Sequence, residues 1–111
     1  MKDFRELLEK EGILNKRINI GCFGLSIQAS YAHYCQPRIN SNDNFLYSNF
    51  EVALFENNEW LNPKDDDRFI DMVWLKDVWE SGKYAVGGYI PTNKVQELCN
   101  RLESLGGQVH V

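Results

Sequence analysis

Between Ile20 and Phe23 the alternation of apolar residues changes phase, and this restricts the fold more than any other feature of the chain. Ile18 and Ile20 are apolar at even positions, whereas Phe23, Leu25, Ile27 and Ala29 are apolar at odd ones. Side chains alternate faces along a strand, so an unbroken strand here would turn half its apolar set into water. Gly21 and Gly24 flank Cys22-Phe23 and suit a tight hairpin or a bulge. Two short strands are expected, not one long bent one.

The rest of the chain follows the same logic. Residues 45–55 read as a strand in which Phe50, Val52 and Leu54 share one face and Glu51, Ala53 and Phe55 the other. Asn57-Asn58 marks a turn, with Glu59-Trp60-Leu61 beginning a return strand. Residues 84–90 form a further strand, whose Gly87-Gly88 pair implies a bulge or the close approach of another backbone. Val95, Leu98, Cys99 and Leu102 make a helical stripe at i, i+3, i+4 and i+7, with Thr92 as its cap and Gly106-Gly107 as its stop. Residues 108–111 fray or add a short edge strand. At the other end, Asp3 and Glu6 have the spacing of a capping box, and Phe4, Leu7 and Leu8 continue at helical spacing until Gly12. Residues 68–82 fit either a short helix or a loop pinned by Trp74 and Trp79. This order lacks regular βαβ alternation, which argues against a parallel doubly wound sheet. One α+β domain over residues 1–111 is expected: an antiparallel sheet of about four strands, with N-terminal and C-terminal helices packed on one face.

Charge and cysteine usage bound the function. Residues 43–80 hold ten acidic side chains against three basic ones, within a chain of net charge −4. Such a middle argues against direct nucleic-acid binding and permits docking on a basic protein surface. As a plain solvated loop it would serve solubility. The N-terminal residues Met1-Lys2-Asp3-Phe4-Arg5-Glu6 do not read as a signal peptide, and no apolar run approaches the ~20 residues of a membrane helix. Three cysteines without framework spacing suit reduced thiols, so a cytoplasmic location is expected, with no membrane association.

The densest chemistry lies in Ser30-Tyr31-Ala32-His33-Tyr34-Cys35-Gln36-Pro37-Arg38. Loops on rigid scaffolds often carry function. Zinc is disfavoured because His33 and Cys35 have no second ligand pair, and Cys22 and Cys99 read as small buried apolar residues. Catalysis by Cys35 would need a positioned base, and a Cys–His pair two residues apart is seldom that geometry. Neither Gly21-Cys22-Phe23-Gly24 nor Gly87-Gly88 opens a helix, so no dinucleotide or Walker pattern is present and no cofactor is expected. Tyr31, His33, Tyr34 and Arg38 could stack on and clamp a small ligand such as a nucleotide signal, in a site that a homodimer could close. Alternatively these rings plug a thin sheet, with Arg38 paired to a carboxylate. The chain is 13% aromatic, and Tyr, Trp and Arg are the usual anchors of protein interfaces. A small single-sheet domain cannot hide every ring, so a protein-binding surface is the leading expectation.

Several of these segments together carry a resemblance: Ser26-Ile27-Gln28-Ala29-Ser30, His33-Tyr34-Cys35-Gln36-Pro37-Arg38, Phe50-Glu51-Val52-Ala53-Leu54-Phe55 and Gly88-Tyr89-Ile90-Pro91. The pattern, spanning most of the chain, resembles small proteins encoded by bacteriophages and other mobile elements. That resemblance implies a non-enzymatic host-defence antagonist in the host cytoplasm that binds a protein or sequesters a signal. It supplies no functional residue. From the residues themselves, binding is expected at Tyr31, His33, Tyr34 and Arg38, with Asp65, Asp66 and Asp67 steering toward a basic partner.

Overall fold

The computed structural model describes residues 1–106 and the backbone pairing of 109–110. The main sheet is antiparallel and six-stranded, larger than the expected four. Its strands are β3 (Ile18–Ile20), β4 (Phe23–Gln28), β5 (Asn49–Glu56), β6 (Glu59–Trp60), β7 (Gly87–Pro91) and β8 (Val109–His110), and β1 (Lys10–Glu11) and β2 (Leu14–Asn15) form a separate hairpin. The order is β6-β5-β4-β3-β8, with β7 also on β5. The long strand β5 pairs with β4 along one side, while its other side is shared by β6 near Phe55 and β7 near Phe50.

The turns follow local sterics. The β3–β4 loop is Gly21-Cys22, closed by the pair Ile20 and Phe23, and Gly21 takes φ +61° at the first loop position. This hairpin absorbs the phase change and puts Ile18, Ile20, Phe23, Leu25 and Ile27 all in the core. The β5–β6 loop is Asn57-Asn58, with φ +52° and +64°. Positive φ at both central residues is what the right-handed twist of a two-residue hairpin demands, and asparagine tolerates it.

One face of the sheet is the core. Phe50, Val52 and Leu54 point into it with Leu25, Ile27 and Ile90. The helix α2 (Thr92–Ser104) covers this face and buries Val95, Leu98, Cys99 and Leu102 as its stripe predicts. Thr92, expected as its side-chain cap, instead donates its hydroxyl to Ser48 O at 3.1 Å. Residues 61–86 complete the cover through two 3₁₀ turns and α1 (Leu75–Val78), a single helical turn. Phe69, Met72, Leu75 and Trp79 anchor this segment, so it is a pinned loop that contains a short helix.

The expected N-terminal helix is replaced by one 3₁₀ turn at Phe4–Glu6. Asp3 caps it through Arg5 N, but the same carboxylate also holds the Arg5 guanidinium. The Phe4 amide donates to Gln96 Oε1 of α2 at 2.8 Å, and the Phe4 ring is fully buried edge-on against Phe50. A tertiary anchor at one residue competes here with a helix too short to sustain its own nucleus. Gly12, with φ +66°, turns the β1–β2 hairpin in place of ending a helix.

Candidate binding surface

The opposite face of the sheet carries the candidate site. Glu51, Ala53 and Phe55 of β5 point to it, as do Gly24, Ser26 and Gln28 of β4. Residues 30–38 leave the end of β4 and fold onto this face. Ser30 organises the start of the segment. Its hydroxyl accepts from Ala32 N at 3.0 Å and meets His33 Nδ1 at 2.6 Å, and its carbonyl accepts from the Cys35 thiol. Burial lowers the His33 pKa, outweighing Glu51, so the ring is neutral at pH 7 and shares a hydrogen bond with the Ser30 hydroxyl. Burial also raises the Cys35 thiol, which is inaccessible. A reactive thiolate needs the reverse environment.

Tyr34 is the keystone of the surface. Its amide donates to Glu51 Oε2 at 2.8 Å, and its carbonyl accepts from Tyr89 N at 2.9 Å. A Cβ on Gly88 would lie 3.2 Å from Tyr34 Cβ, so the glycine is what lets the tyrosine lie on the strand. The rings of Tyr34 and Tyr89 then sit 5.8 Å apart at 30°. Tyr89 has φ +52°, a region costly for a residue with a Cβ, so the surrounding contacts must impose it. Tyr34 and Tyr89 remain 46% and 43% exposed despite their fixed backbones. Arg38 lies 5.9 Å from the Tyr34 ring and donates Nε to Tyr31 O. Tyr31 itself is 71% exposed.

A second group of rings lies on the same face at the far end of β5. Phe55 and Trp60 are cross-strand partners with centroids 4.6 Å apart, and Tyr84 meets Trp60 edge-on at 5.6 Å. Arg17 stacks over Phe55 at 3.8 Å, lying across the space that Gly24 leaves without a side chain. Lys83 approaches Tyr84. Thus Arg38, Arg17 and Lys83 flank the rings, while Glu51 is occupied by the Tyr34 amide.

The expected site residues are therefore only partly brought together. Tyr31, Tyr34 and Arg38 form one exposed group, and His33 turns inward to Ser30. Asp65, Asp66 and Asp67 lie elsewhere. Asp66 caps the Arg68 amide and pairs with its guanidinium, which also holds both Glu56 carboxylate oxygens at 2.8 Å. Arg68 keeps Glu56 and Asp66 below their usual range. Glu56 is five residues from Glu51, about 17 Å along an extended strand, and projects with Leu54 to the other face. Asp65 and Asp67 are exposed and in no ion pair among the described residues.

Sequence reasoning missed Tyr89 and Tyr84 as site residues. The available signal was Gly88, whose bare backbone invites a ring. Of the indoles, Trp79 is sealed at 3% exposure, and Trp60 and Trp74 are half-buried. Among the described residues no three His, Cys, Asp or Glu side chains converge as for a metal ion, and no helix is long and apolar enough to cross a membrane. Comparison with protein-family models, with curated proteins and with solved structures returns no match to this chain.

Proposed function

We propose that this chain is a non-enzymatic binding protein that engages a protein partner through the ring-bearing face of its sheet. The observation that carries the reading is the pair Tyr34 and Tyr89: nearly half-exposed rings on backbones fixed by hydrogen bonds to Glu51 and to each other. Rings already held in place lose little conformational entropy on docking, which is what makes tyrosine an effective anchor. Trp60 and Tyr84 extend the contact along β5, and Tyr31 adds a ring at its margin. The three flanking cations suit an acidic patch on the partner, with Arg38 able to form a forked bond to a carboxylate. Asp65 and Asp67, expected to steer toward a basic partner, lie off this face and take no part in the proposed contact.

The resemblance to phage and mobile-element proteins extends the proposal to an inhibitor of a host defence protein, working in the host cytoplasm. The test is affinity capture from the native host with the wild type, Tyr34→Ala/Tyr89→Ala and Asp65→Asn/Asp67→Asn. A partner retained by the wild type should be lost by the tyrosine variant, with unchanged circular dichroism, and retained by the aspartate variant, whose changes lie off the face. Equal retention by the tyrosine variant would remove the proposed face.

A further inference from the structure

A separate cleft of about 250 Å³ opens between the β1–β2 hairpin and residues 40–42. Lys10, Ser30, Asn40, Ser41 and Asn42 line it, with Ile13 as an apolar edge. Tyr31, His33 and Arg38, the residues expected to clamp a small ligand, are not in its wall.

The wall is unbalanced in charge and in hydrogen bonding. Lys10 is its one charged side chain. The ammonium is half-buried and donates to a single carbonyl, Ala29 O, at 3.2 Å. Among the described residues Lys10 has no carboxylate partner; the nearby Glu9 is committed to Lys16. Burial lowers the Lys10 pKa; its nitrogen lies 5.9 Å from the Tyr47 ring, and the Cys35 thiol that acts on it is itself uncharged. Asn40 uses its carbonyl oxygen for Tyr31 N, which leaves its amide nitrogen to donate. The Ser41 hydroxyl oxygen accepts from Asp43 N, which leaves its proton to donate. A half-buried cation that shares a cleft with two unspent donors, and meets no carboxylate among the described residues, is an arrangement that recognises an oxyanion.

We propose that this cleft binds a small molecule through a phosphate or carboxylate group held by Lys10, Asn40 and Ser41. The volume admits a head group with a few further atoms, not a polymer. The bound anion would restore to the ammonium the partner that burial denies it.

The experiment is an NMR titration of the full chain at constant ionic strength, with inorganic phosphate in one arm and acetate in the other. The readouts are the backbone amides of Gly12, Ser30 and Asn42 and the Lys10 side-chain resonances. A saturable response at these groups in either arm is expected and assigns the head group; saturation in neither overturns the proposal. Lys10→Gln should weaken binding at least tenfold, whereas Lys16→Gln should bind as wild type; equal binding by Lys10→Gln overturns it. If Lys10→Gln does not fold, the wild type still decides: the saturating anion must raise the Lys10 pKa, and an unmoved pKa refutes the site.

Discussion

Gly87 and Gly88 are neighbours in β7, yet substitution by alanine should cost far more at Gly87 than at Gly88. A Cβ on Gly87 would lie 2.5 Å from Ile90 Cδ1 and 2.6 and 2.9 Å from two atoms of the Trp79 ring. Ordinary carbon contacts are ~3.5–4.0 Å, so the methyl would have to displace both neighbours by about 1 Å. Neither has room to retreat, because Ile90 and Trp79 are 0% and 3% exposed. Overpacking of this kind costs about 1–3 kcal/mol. Restricting the unfolded chain returns ~0.5 kcal/mol or slightly more, since Gly87 has no positive φ. The expected net loss is therefore about 0.5–2.5 kcal/mol, centred on ~1.5 kcal/mol. With an unfolding entropy of ~2.1 cal/mol/K per residue, the central value lowers Tm by roughly 6 °C for a chain of 111 residues. At Gly88 the methyl would meet Tyr34, with Cβ at 3.2 Å and two ring carbons at 3.5 and 3.6 Å, so a shift of a few tenths of an ångström relieves it. Gly88→Ala should stay within ~0.5 kcal/mol of wild type, because strain and unfolded-state restriction offset each other. Urea unfolding followed by tryptophan fluorescence, together with thermal circular dichroism, measures both. Equal stability of the two variants would refute the assignment of Gly87 to the core and Gly88 to the ring face. Gly88→Ala should still weaken partner binding, by shifting Tyr34.

Two further outcomes follow from the charges and thiols. Arg68→Gln should cost on the order of 1 kcal/mol near neutral pH, because its partners are only partly shielded from water. Glu56 and Asp66 have folded-state pKa values below their unfolded ones, so their contribution is present above about pH 5 and fades as pH falls through the folded values. The gap between wild type and variant in urea unfolding should therefore narrow from pH 6 to pH 3; a gap that widens would contradict the pairing. For the thiols, one of three should react readily with Ellman's reagent in the native state. Cys22 is exposed, whereas burial shields Cys35 and pushes the Cys99 thiol up to about 12. Rapid reaction at Cys35, located by mass spectrometry, would reopen a catalytic role.

Elements governed by nearest neighbours were legible in the residues themselves. The hairpin at Gly21-Cys22, the turn at Asn57-Asn58, the two faces of β5 and the stripe of α2 all follow from periodicity and backbone sterics acting over a few positions. The tyrosine-rich loop could be singled out because so many chemically capable residues crowd into it. The N-terminal segment was not legible, because Gln96, some ninety residues away, captures the Phe4 amide and so displaces a locally reasonable helix. Nor was it legible that Arg68 would draw Asp66 and Glu56 into pairs while Asp65 and Asp67 stay exposed. Tyr89 joins Tyr34 across 55 residues of sequence only because β7 lies beside β5. Among the described residues Lys10 meets no carboxylate, because its hairpin lines a cleft with residues 40–42. Periodicity determines which side of an element is apolar. Which distant groups meet, and which charges go unanswered, depends on how the chain returns upon itself.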